Sequence, residues 1–135
     1  MLKEIGGFLG DIVYILFLLA LLNYVVKYIN RKFRNQLLNN EAIYQLFIKL
    51  MKFTVKNHRY FGLMAIIFLL LHTAVQMSLH GINITGTIAV VIMLAEIGLG
   101  YYGSKVKKKG KTWLKAHRVI SVLLLISIFI HLALG

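Results

Sequence analysis

Four stretches of this chain, roughly 8–29, 60–79, 84–103 and 119–135, stay apolar for long enough to cross a hydrocarbon core of about 30 Å. Lipid offers no hydrogen bonds to a backbone, so an apolar run of this length must close its own hydrogen bonds as a helix. The rest of the composition agrees: 59% of 135 residues are hydrophobic and none is proline, at a mean hydropathy of +0.78. The expected fold is all-α, an integral membrane four-helix bundle formed as a single domain over residues 1–135. The first stretch is read as a retained helix and not a cleaved signal, because only Lys3 precedes it and its basic cluster (Lys27, Arg31, Lys32, Arg34) follows it.

Charge placement predicts the topology. Of 16 Lys and Arg, eight lie from Lys27 to Arg59 and seven from Lys105 to Arg118, whereas residues 78–87 carry no formal charge. Basic connections stay on the cytoplasmic side, so both termini are expected outside and the second and fourth spans run parallel. The expected location is a prokaryotic cytoplasmic membrane. The net charge of +12 is thereby accounted for by lipid and orientation, and no nucleic-acid role is read from it. In the first connection Asn39 or Asn40 can cap a helix over about 40–53, with Ile43, Leu46, Phe47 and Leu50 on one stripe. That pattern predicts an interfacial amphipathic helix between the first two spans.

Histidine is costly in an apolar helix unless it has a partner. Two segments, His58-Arg59 through His72 and His117-Arg118 through His131, place a histidine pair in such helices at one interval, 72 − 58 = 131 − 117 = 14. Fourteen residues come close to four turns, so each pair shares one helix face at a separation of about 21 Å. A lone histidine in a span is commonly a hydrogen-bonded packing residue, and a proton relay is a further option, but neither gives a reason for the repeated interval. Zinc or copper would need three or four ligands around one ion, whereas these histidines fall into two levels of two. Two haems, each taken between two imidazoles, suit the spacing. The absence of cysteine removes disulfides, iron–sulfur clusters and covalent haem attachment.

The arrangement resembles the dihaem four-helix core of the cytochrome b and ferric-reductase-like transmembrane families, over about the whole chain, with the paired histidines as its specific part. The resemblance implies that His58 and His117 ligate the iron of a cytoplasmic-side haem b and that His72 and His131 ligate that of an outer one. It further implies that Arg59 and Arg118 meet propionates on the inner side and that Gly86 and Gly100, also fourteen apart, let a backbone pass close to a macrocycle, with Gly62 and Gly10 as weaker candidates. The glycines equally suit plain helix packing. His80 is expected as a surface residue or as a propionate partner on the outer side, Glu4 and Asp11 at the outer mouth. Glu96, the one acid inside the second to fourth spans, is a candidate for proton handling or for a hydrogen bond within the bundle.

The expected function is transmembrane electron transfer through two non-covalent haems b, with the bilayer, a redox protein or a quinone as partners. The chain departs from the families in having no flavin or nicotinamide domain, so it reads as a minimal member or as the haem subunit of a larger enzyme. Alternatives are a stand-alone reductase or oxidase of ferric iron or superoxide, a non-catalytic membrane anchor, or a haem carrier. Donor, acceptor and oligomeric state are open at this point.

Overall fold

The computed structural model describes residues 1–106 and 110–134. Gly135, the expected end of the fourth span, and Lys107, Lys108 and Lys109 of the basic third connection lie outside the described residues. Four helices follow one another: α1 (Leu2–Leu38), α2 (Glu41–His80), α3 (Ile84–Lys105) and α4 (Lys111–Leu134). All four are long and apolar enough to cross a membrane, and each contains one of the expected spans as far as it is described. The chain is an all-α membrane protein.

Local chemistry sets the breaks. Asn40 ends the α1–α2 turn, and its Oδ1 accepts the Ile43 N–H at 3.2 Å, which caps α2. Gly81, at φ +73°, closes α2 in the left-handed conformation that glycine adopts without steric cost, and its N–H returns to the Met77 carbonyl at 3.1 Å. Asn83 then caps α3 by accepting the Gly86 N–H at 3.0 Å. Inside α1 the one interruption is Phe33, whose φ −116° and ψ 18° leave the helical region.

One expectation changes. Residues 41–53 are helical, but they run into the second span without a break, and only Asn40 stays outside. No glycine or proline lies between Glu41 and Phe61, so nothing stops the helix at the membrane surface. At 37 and 40 residues, α1 and α2 are about 55 and 60 Å long, well beyond the thickness of a hydrocarbon core. Ile43, Leu46 and Leu50 of the amphipathic stripe are exposed.

The chain divides into two compact units, Glu4–His72 and Met1–Lys3 with Thr73–Gly135, with no linker between them because the division falls inside α2. In the first unit the buried side chains are Val13, Phe17 and Val26 of α1 and Thr54, Ala65 and Leu69 of α2. In the second, α3 packs along α4, with Met93, Leu124 and Ser127 buried. Large apolar residues elsewhere on the helices, such as Phe8, Val91 and Phe129, are more than half exposed, as lipid-facing residues are.

Candidate functional site

Within the unit 4–72, both histidines of the first pair stand on α2 and turn a ring nitrogen onto the backbone of α1. His72 Nδ1 is 2.9 Å from the Gly6 carbonyl oxygen and His58 Nδ1 is 3.1 Å from that of Ala20. The two carbonyls repeat the histidine interval in the opposite direction along the chain, 20 − 6 = 14, as antiparallel helices require. A carbonyl oxygen only accepts, so Nδ1 carries a proton in both rings. Gly10 makes room for one of these rings: a Cβ there would come within 3.0 Å of His72 Cε1. The sequence ranks Gly10 among the weaker glycines, yet its approach is the tighter one, while at Gly62 nothing lies within 4 Å.

The second pair stands on α4 and faces α3 in the same manner, with side chains in place of carbonyls. His131 Nδ1 is 3.1 Å from Thr85 Oγ1, which itself donates to Asn83 Oδ1 at 2.7 Å. A hydroxyl has one proton, so Thr85 accepts from His131, and the helix cap of α3 thereby sets this tautomer as well. Gly86 lies under the ring, where a Cβ would be 3.1 Å from His131 Cε1. Gly100 takes the corresponding place at His117, more loosely, at 3.8 Å from Cε1. The two glycines expected against a macrocycle are thus placed against imidazoles.

His117 has the fullest surroundings. Glu96 Oε1 stands 3.1 Å from its Nδ1, an ion-pair separation without the alignment of a ring N–H hydrogen bond. Ser121 donates to Glu96 Oε1 and lies 2.8 Å from the His117 carbonyl one turn back. On the ring face Trp113 is stacked, 9° from parallel with centroids 5.6 Å apart, and its Nε1–H donates to the Leu99 carbonyl at 2.9 Å. Sequence reasoning passed over Trp113 and Ser121, which join this cluster through the register of α3 on α4, with Gly103 of the small-residue face against the Trp113 ring.

The remaining candidates are peripheral. Arg59 is exposed and Arg118 half-buried. His80 is exposed, with Nδ1 3.1 Å from Gln76 Oε1 of its own helix, and Glu4 and Asp11 are exposed. Beside Thr85 an apolar groove of about 260 Å³ opens between α3 and α4, walled by Ile88, Ile92, Leu123, Ile126 and Ile130. Among the described residues no three His, Cys, Asp or Glu side chains gather where they could hold a bare metal ion. The rings are instead oriented from the preceding helix, by backbone carbonyls at His58 and His72 and by Thr85 at His131.

These contacts predict the tautomers. Nitrogen-15 spectra of the protein without cofactor should show His58, His72 and His131 as Nδ1–H imidazoles. A mixture of tautomers at these positions would mean that the carbonyl and hydroxyl contacts do not hold the rings. No family model, curated protein or solved structure matches this chain.

Proposed function

We propose that this protein is a small membrane cytochrome b that carries electrons across the bilayer through two non-covalent haems b. The observation that supports the reading most is the orientation of three of the four histidines. Nδ1 of His58, His72 and His131 faces an oxygen of the preceding helix, the arrangement in which a metal-ligating histidine is held through its second nitrogen, and at His117 the Glu96 carboxyl lies beside Nδ1. His58 with His117, and His72 with His131, are the proposed axial pairs. That pairing rests on the shared interval and on the parallel course that the charges imply for the second and fourth spans.

Bound there, the haems supply one-electron chemistry. The chain's own residues do the rest. His58, His72, His117 and His131 would hold the two groups, and with two imidazoles to each iron no site would be left open for oxygen. Arg59 and Arg118, next to the inner ligands, are placed in sequence to meet carboxylates at the basic surface. A membrane quinone or a redox protein is the proposed exchange partner, in a prokaryotic cytoplasmic membrane with both termini outside.

Haem content tests the reading. The purified protein should bind two haems b per chain, show a low-spin reduced-minus-oxidised spectrum, and release both haems into acid-acetone, since no cysteine tethers them. A ratio near one would end the two-site assignment, and a protein that takes up none would end the cytochrome reading.

A further inference from the structure

The basic cluster after the first span converges in a way that the orientation of a helix does not require. Lys27, Asn30, Arg31 and Arg34 follow one another at intervals of three, one and three, so they share one face of α1. With Met51 of α2 they border a cavity of about 330 Å³ inside the unit 4–72, its wall mostly polar and none of its side chains acidic. That volume falls within the range of about 300–1,000 Å³ usual for small-ligand pockets. The other cation of the cluster is turned elsewhere: Lys32 Nζ lies 3.3 Å from the Tyr28 hydroxyl and over the Phe33 ring, 5.5 Å from its centroid. Asn30 adds a signal of a different kind, since its Oδ1 is buried with no hydrogen-bond partner among the described residues. Converging cations beside a spare acceptor match a ligand that carries both an anionic group and a hydroxyl.

We propose that this cavity binds the phosphate of an anionic phospholipid with a hydroxylated headgroup, of the phosphatidylglycerol class, through Lys27, Arg31 and Arg34, with Asn30 accepting from the headgroup hydroxyl. A guanidinium meets two phosphate oxygens through parallel hydrogen bonds, and Lys27 adds a point charge. The hydroxyl gives Asn30 Oδ1 the donor that a buried acceptor requires. A choline headgroup would bring its own cation among three others and has no hydroxyl, so it fails on both counts. Free phosphate shares the anionic chemistry, but the position favours lipid. The expected first span ends at Ile29, which sets the cavity at the level where headgroups begin, and basic pockets between helices at that depth suit anionic lipid. Tyr24 and Tyr28, exposed on the neighbouring turns of α1, stand where interfacial aromatics do. Met51 precedes His58 by seven residues, about 10 Å along α2, so the cavity is separate from the imidazole. With the basic connections on the cytoplasmic side, as the charge pattern implies, the lipid comes from the inner leaflet.

Native mass spectrometry of the intact protein in detergent tests this. Phosphatidylglycerol should occupy a single saturable site, and neither phosphatidylcholine nor inorganic phosphate should displace it. Arg31→Gln combined with Arg34→Gln should weaken it by about tenfold or more from the two charges alone. Lys49→Gln combined with Lys56→Gln removes the same charge from exposed positions outside the cavity and should leave the affinity nearly unchanged. Asn30→Ala keeps every cation and should erase the preference for phosphatidylglycerol over phosphatidylmethanol, which has the same charge and no headgroup hydroxyl. Equal losses in the two double variants would overturn the cavity in favour of general attraction to charge. Displacement of the lipid by inorganic phosphate would overturn the lipid as the source of the anion. Haem content should be the same in all of these proteins, so the result stands apart from the cytochrome reading. Loss of haem together with lipid in the arginine variant would assign the cavity to the haem site and end the proposal.

Discussion

His72→Ala is expected to bring the haem content from two per chain to one, and His131→Ala to remove the same haem. The other haem, with its spectrum and potential, should stay. A haem between two imidazoles loses half its axial ligation when one is cut back to Ala, and the chain has no cysteine to replace it. His58→Ala and His117→Ala should empty the other site. Added imidazole should restore the missing band in the His72→Ala protein better than in a protein changed at Gly10, because truncation leaves a space of the ligand's own shape beside the Gly6 carbonyl. Haem quantitation and spectra of the four single variants and two within-level doubles check this. If His72→Ala and His117→Ala abolished the same haem, the proposed pairing would have to be crossed.

The second large effect concerns a residue with no part in ligation. A Cβ on Gly103 would lie 1.8 Å from Trp113 Cζ2, 2.3 Å from Cε2 and 2.6 Å from Cη2, inside the body of a rigid ring. Gly103→Ala must therefore expel Trp113, which breaks its bond to the Leu99 carbonyl and unstacks it from His117. Overpacking of this kind costs about 1–3 kcal/mol, and the lost hydrogen bond about 1 kcal/mol more. Gly98→Ala is the control five residues earlier on α3, where nothing lies within 4 Å and the extra methyl should be neutral or slightly stabilising. Trp113 is the chain's single tryptophan, so its near-ultraviolet circular dichroism reports the site directly. The signal should collapse and the thermal midpoint fall in the Gly103 variant alone. Indistinguishable behaviour of the two variants would show that the Trp113 packing is not as described.

The spans were readable because lipid imposes one demand along their whole length, and runs such as 84–103 satisfy it with little else in them. The amphipathic stripe of Ile43, Leu46 and Leu50 was readable too, and Asn40 does cap it. Its separation from the span was not, since a charged stretch such as Lys52 to Arg59 marks a membrane surface without breaking a helix. At the site, the histidine interval stands out in the sequence, but the groups that hold the rings leave almost no trace. Any residue at positions 6 and 20 offers a carbonyl, so Gly6 and Ala20 carry no signature beyond their spacing. Glu96 stood out as an intramembrane acid, yet its neighbours His117 and Ser121 depend on how α3 is rotated against α4, which a nearly all-apolar α3 leaves undetermined. Gly10 looked weak because one glycine in an apolar run has many uses. Only the ring of His72 against it reveals which one applies.

Every histidine of the two pairs lies on the second helix of a hairpin, and an oxygen of the first stands beside its Nδ1: from α1 for His58 and His72, from α3 for His117 and His131. Each hairpin therefore carries within itself the contacts that orient its rings, with the tautomer set at His58, His72 and His131. On the proposed reading, the expected order of biogenesis is two hairpins formed first and the haems taken up afterwards.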